Sequence, residues 1–216
     1  MRIVTLTEET KQNLLEDLLK RSPQSYGEYE DRVAAIVEDV RRRRDEAVFE
    51  YTEKFDHITL TSESIRVTKE EIEEAYAKTD VKLIEVIKKA LTNIRAYHEK
   101  QRQYSWFDSR TDGVLLGQKV TPLSCVGVYV PGGKAVYPSS VLMNVLPAKV
   151  AGVEKIIMTT PCGKDGNVNP STLVAANEAG VDEIYKVGGA QAIAAMAFGT
   201  QSVPKVDKIV GPGNIY

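Results

Sequence analysis

The chain has 216 residues, 43% of them hydrophobic and 27% charged, with a formal net charge of -2 and a pI of about 5.8. That composition belongs to a globular protein able to bury one or two cores, and it gives no basic surface for nucleic acid. The start, MRIVTLTEET, has no basic segment followed by an apolar run. The most apolar segment, VGGAQAIAAMAF, falls short of the roughly 20 residues that cross a bilayer. No membrane partner is expected, and the chain reads as cytoplasmic.

In chain order, MRIVTL suits a strand or extended arm before a helix capped near Thr7. Val33, Ile36, Val37, Val40, Ala47, Val48, Tyr51 and Phe55 recur at helical spacing and predict one long amphipathic helix. The run Arg41 to Arg44 lies within it, flanked by Asp39, Asp45 and Glu46, and reads as a solvated face. Thr68 and Glu71 form a capping box that opens a short helix to about Tyr76. Leu83, Ile87, Leu91, Ile94 and Tyr97 mark another helix. Beyond Arg110 no arginine follows, and glycine and small apolar residues take over. The residues divide into a helical region, 1–110, and a second region, 111–216.

The second region predicts a first pair of strands, Val114 to Val120 and Cys125 to Val130. There follow a helix (Ser139 to Val150), a strand (Lys155 to Thr159) and a helix (Pro170 to Ala179). A strand (Glu183 to Val187), a helix (Ala190 to Phe198) and a last strand (Lys205 to Val210) complete the pattern. Strands alternating with helices of about ten residues imply a parallel, three-layer α/β sheet.

Three strands end in glycine-rich turns: VGVYVPGGKAVYPSS, YKVGGAQAIAA and DKIVGPGNIY. Ligands of open parallel sheets bind beyond the carboxyl ends of the strands, so these turns are expected to face one cleft. Gly132, Gly133, Gly188, Gly189, Gly211 and Gly213 allow close backbone approach. Tyr129, Gln191 and Asn214 add a ring face and two amides, which suit a flat heteroaromatic ligand with hydroxyls and a phosphate bridge. The helix starting near Ser139 offers an anion-binding N-terminus. Neither GxGxxG nor GxxxxGK[ST] is present, so the residues alone lead to a nucleotide or similar ligand.

Two cysteines, Cys125 and Cys162, and two histidines, His57 and His98, have no CxxC or HExxH spacing and cannot assemble a zinc site unaided. Cys125 reads as core. Cys162, at a strand end, is the better thiol candidate, but no histidine lies near it in sequence. His98 reads as structural, and His57 as capping a helix end or facing solvent.

The segments VGVYVPGGKAVYPSSVLMNVLPAKVAGV, VGGAQAIAAMAFGT and VDKIVGPGNIY resemble successive signatures of the histidinol dehydrogenases, and EAVFEYTEKFD resembles that family's helical N-terminal region. Arg44 stands where the family more often has glycine. The resemblance implies an aldehyde-dehydrogenase-like three-layer αβα sheet, an incomplete Rossmann-like domain preceded by a helical region. It also implies a homodimer that oxidises L-histidinol to L-histidine in two NAD-dependent steps through the aldehyde, with zinc holding the substrate. By motif, Tyr129, Gln191 and Asn214 match the residues that contact NAD. The family's zinc ligands and its catalytic glutamate–histidine pair lie further along than residue 216, so no catalytic or metal-binding residue is assigned here. The chain is expected to be a truncated piece without turnover of its own. Two other readings remain: a non-catalytic NAD-binding or dimerisation module, and an aldehyde dehydrogenase using an exposed, low-pKa Cys162 or Cys125.

Overall fold

The computed structural model describes residues 5, 7–12, 27–132 and 136–213. Packing divides the chain into two units, residues 1–35 and 36–216. In the first, residues 8–12 are helical. Thr7 caps this helix as predicted, its Oγ1 accepting from the Thr10 amide at 3.2 Å. The expected strand or arm at MRIVTL lies mostly outside the described residues.

The predicted long helix is two helices, α1 (Gly27–Arg43) and α2 (Asp45–Asp56). One apolar stripe runs through both, which is why periodicity merges them. The break is at Arg44, whose φ of 57° is a left-handed conformation that continues no helix. The arginine run is a solvated face only in part: Arg41 and Arg42 are exposed, while Arg43 and Arg44 are partly buried. Arg43 pairs with Asp39 and with Glu50, and its guanidinium holds the Asp39 carboxyl well below the usual carboxylate range. Arg44 Nη1 donates to the carbonyls of Phe198, at 3.0 Å, and Gly199, at 2.6 Å.

The capping box is formed. Thr68 Oγ1 accepts from the Glu71 amide at 3.2 Å, and Glu71 Oε2 accepts from the Thr68 amide at 2.8 Å, opening α3 (Lys69–Lys78). The next helix, α4 (Val81–Glu99), starts at Asp80, which accepts from the Lys82 amide.

The first predicted strand pair is corrected. β1 (Trp106–Ser109) pairs antiparallel with β2 (Leu115–Gln118), closing a hairpin through Gly113 at φ 83°. This hairpin stands apart from the parallel sheet and is exposed along its length. With no core behind it, its apolar residues mark no inner face that would reveal a sheet partner.

The parallel sheet comprises β3 (Cys125–Tyr129), β4 (Lys155–Thr159), β5 (Glu183–Tyr185) and β6 (Lys208–Val210), in the order β5-β4-β3-β6. Between them run α5 (Pro138–Val150), α6 (Pro170–Ala179) and α7 (Gly189–Phe198). The last two strands are shorter than predicted. After Tyr185, the Lys186 amide turns to the carbonyl of Ile65. Before Lys208, the Val206 amide bonds Met196 and the Asp207 amide bonds Cys125. Residues around Arg66 add a short antiparallel pairing on the β5 edge.

Two cores result, one on each face, as alternating strand residues require. Val126, Val128, Ile156, Met158 and Ile184 pack against helices α3 to α6. Ile157, Tyr185 and Val187 pack with Val40, Val48, Ala195 and Met196 of α1, α2 and α7. A Cβ on Gly127 would lie 2.5 Å from Met196 Sδ, so glycine lets α7 seat closely on β3. This is a mixed α/β fold with a parallel sheet, as predicted. The composition change near residue 110 coincides with the hairpin, and α3 and α4 pack on α5 and α6. Among the described residues, no helix is long and apolar enough to cross a membrane.

Candidate functional site

Strand order places the crevice. From β3 the chain steps outward through α5, β4, α6 and β5. It then returns through α7, on the opposite face, to β6 on the other side of β3. The connections leaving the carboxyl ends of β3 and β5 therefore diverge around β3. In doubly wound sheets such a switch point opens the crevice that takes a ligand. Tyr129 ends β3 and Gly211 follows β6, so the predicted turns flank this point.

The turns meet closely. The Tyr129 hydroxyl accepts a hydrogen bond from the Gly189 amide at 3.3 Å, joining the turn after β3 to the one after β5. Burial pushes that hydroxyl above its ordinary pKa. Pro161, at the end of β4, fills the space between two other turn glycines. Added Cβ atoms would lie 2.7 Å from its ring at Gly132 and 2.8 Å at Gly188. Gly211, at φ 148°, brings the turn after β6 against the backbone of Tyr129.

Gln191 is the third residue of α7, whose N-terminus has no side-chain cap. It is 1% exposed, and its Oε1 has no hydrogen-bond partner among the described residues. Leaving a buried acceptor unmatched costs about 1–3 kcal/mol, so this oxygen calls for a donor other than the described residues, a buried water or a ligand. The structure thus brings Tyr129 and Gln191 together. Asn214 and Gly133 lie outside the described residues. The predicted anion site at the start of α5 has Tyr137 as N-cap, without a side-chain hydrogen bond.

A cleft of about 490 Å3 opens beside these turns, lined by Glu71, Pro131, Gly132, Thr160, Pro161 and Cys162 among others. Two residues of its lining, Pro161 and Glu71, and one charge near the turns, Asp56, escaped sequence reasoning. Pro161 in TTPCG carried no signal beyond a turn. Glu71 was visible only as a capping residue. Asp56, at the end of α2, is a half-buried carboxylate pushed up by that burial, and its charge adds to the upward shifts of Tyr129 and Cys162. His57, which follows it, takes a left-handed conformation at φ 58° as the C-cap of α2, the helix-end role expected of it.

Both cysteines are partly buried, and burial pushes both thiols up. That is opposite to what a cysteine nucleophile needs. Iodoacetamide at neutral pH is therefore expected to modify each more slowly than free cysteine. Labelling of Cys162 faster than free cysteine would restore the thiol-enzyme reading. Among the described residues there is no group of three or more His, Cys, Asp or Glu able to hold a metal ion. The site residues present fit a dinucleotide and do not fit zinc.

The family model for histidinol dehydrogenase matches residues 19–216. The histidinol dehydrogenase of Bacillus subtilis (strain 168) is 61% identical over 184 residues, covering 85% of this chain and 43% of that protein. That of Caldanaerobacter subterraneus subsp. tengcongensis is 52% identical over 210 residues, covering 97% and 48%. The crystal structure of histidinol dehydrogenase from Elizabethkingia anophelis superposes with a TM-score of 0.83 at 41% identity, covering 88% of this chain and 44% of that one. The chain spans about half the length of the curated relatives it matches. With its long motifs, its parallel sheet and these matches in agreement, the chain belongs to the histidinol dehydrogenase family.

Proposed function

We propose that this chain is the NAD-binding part of an enzyme that oxidises L-histidinol to L-histidine through the aldehyde, in two NAD-dependent steps. The observation that carries the reading is the meeting of Tyr129 and Gln191 at the β3/β6 switch point, with an unmatched amide oxygen on Gln191. The Tyr129 ring offers a stacking face, and its hydroxyl is fixed by the Gly189 amide. Gln191 Oε1 accepts from a ligand hydroxyl or carboxamide. Asn214 is assigned to the same ligand by motif. When bound, NAD supplies the hydride acceptor. These residues bind and orient it, and none of them is assigned a proton transfer.

The zinc ligands and the acid–base pair belong to the remainder of the longer enzyme. Residues 111–216 act as an incomplete Rossmann-like domain of aldehyde-dehydrogenase-like type, and the helical region 1–110 offers surfaces to that remainder. Exposed Val81, Leu83, Val86 and Tyr97 on α4 are consistent with such a role. The working enzyme is a cytoplasmic homodimer.

The test compares this chain with a longer gene product in NADH formation from L-histidinol and NAD with zinc. Turnover only in the longer protein, with NAD binding retained by the short chain, is the expected result. Turnover by the short chain would refute the placement of the catalytic residues. Inactivity of both would refute the substrate reading and leave an NAD-binding or dimerisation module.

A further inference from the structure

Lys186 is an unusual residue to find next to a ligand turn. It is 8% exposed, and its ammonium group is paired with the carboxylate of Glu71, 115 positions earlier in the chain. Two charges taken out of water recover that cost only through good geometry and further hydrogen bonds. The geometry here is shared with the capping box. Glu71 Oε2 accepts from the Thr68 amide at 2.8 Å, while Oε1 takes the Lys186 ammonium. The backbone of Lys186 is held as well. Its amide donates to Ile65 at 2.8 Å, and its carbonyl accepts from the Cys162 thiol at 3.9 Å. Lys186 is therefore held through both side chain and backbone just before the glycines, with Val187 buried in the core beside it. Gly188 then rests on Pro161, and the Gly189 amide meets the Tyr129 hydroxyl.

We propose that Glu71 and Lys186 are a positioning pair for the dinucleotide site, clamping α3 to the turn between β5 and α7 so that Tyr129, Gly189 and Gln191 keep their mutual arrangement. The assignment rests on the NAD reading of that turn. The helical region then contributes to cofactor affinity through the ion pair, with Lys186 acting through the turn and not on the ligand.

The test is an NAD titration of the 216-residue chain by calorimetry, with thermal unfolding measured on the same samples. Removing both charges together, in the double variant Glu71→Leu/Lys186→Met, avoids stranding one of them. Affinity for NAD is expected to fall about tenfold, with a shifted Gly189 amide resonance and an unfolding temperature lowered only as far as loss of the Glu71 capping contact requires. Lys186→Arg, which keeps a cation facing Glu71, should retain most of the affinity. A purely structural pair would move the unfolding temperature and leave the affinity alone, and that result overturns the proposal. Should the double variant not fold, Glu71→Asp decides, because it keeps the charge and shortens its reach. Weakened NAD binding there supports the clamp, and unchanged binding overturns it. Absence of NAD binding by the unmodified chain would instead bring down the cofactor reading and this assignment together.

Discussion

Replacing Gly211 by alanine is expected to destabilise the protein by about 2–5 kcal/mol and to distort the crevice at the switch point. A Cβ at this position would overlap the carbonyl oxygen of Tyr129 and lie 2.9 Å from its carbonyl carbon. Both obstacles are backbone atoms at the end of β3, so no side-chain rotation relieves the clash. The φ of 148° adds strain for any residue with a Cβ. Relief requires the ends of β3 and β6 to separate, which also displaces the Tyr129 hydroxyl from the Gly189 amide. Urea unfolding measures the effect, with Gly213→Ala as control. A Cβ on Gly213 meets nothing within 4 Å among the described residues, so that variant should change stability by less than about 0.5 kcal/mol. Equal midpoints for Gly211→Ala and the unmodified chain would mean that the two strand ends are not in close approach.

The parts of this architecture legible in the sequence are those specified locally. Thr68 and Glu71 marked a helix start because a capping box needs only four consecutive residues. Lys155 to Thr159 and Pro170 to Ala179 were bounded correctly because a β-branched run and a proline-led helix declare themselves over a short window. Tyr129 and Gln191 were legible as candidates because each stands near glycines that follow a strand. What escaped depends on partners distant in sequence. The Glu71–Lys186 pair joins two residues that have no reason to be associated until α3 packs beside β5. Pro161 is an ordinary turn residue until Gly132 and Gly188 close on it. The hairpin was mispaired because Trp106–Ser109 is short and exposed, without the alternation that marks a half-buried strand.

Arg44 unites these two kinds of information. The family resemblance led one to expect glycine there, and the φ of 57° with ψ of -126° supplies the physical reason, since an L side chain is strained in that conformation by about 1–3 kcal/mol. The arginine offsets the strain by reaching the C-terminal end of α7, where its Nη1 donates to the carbonyls of Phe198 and Gly199. Those carbonyls carry the negative end of the helix dipole, which a guanidinium favours. The next residue completes the joint: Asp45 Oδ2 accepts from the Ser202 hydroxyl at 2.6 Å. Two substitutions separate the effects. Arg44→Ala keeps the strained backbone and loses both contacts, and should cost about 2–3 kcal/mol. Arg44→Gly loses the same contacts but relieves the backbone, and should cost about 1–2 kcal/mol less than the alanine variant. Denaturant midpoints of the two variants beside the unmodified chain give the comparison directly. Equal midpoints for glycine and alanine would show that position 44 stores no strain. An alanine variant as stable as the unmodified chain would show that the guanidinium contributes nothing at the end of α7. The expected order, unmodified above glycine above alanine, requires both: a backbone suited to glycine, and an arginine kept there by what its side chain reaches.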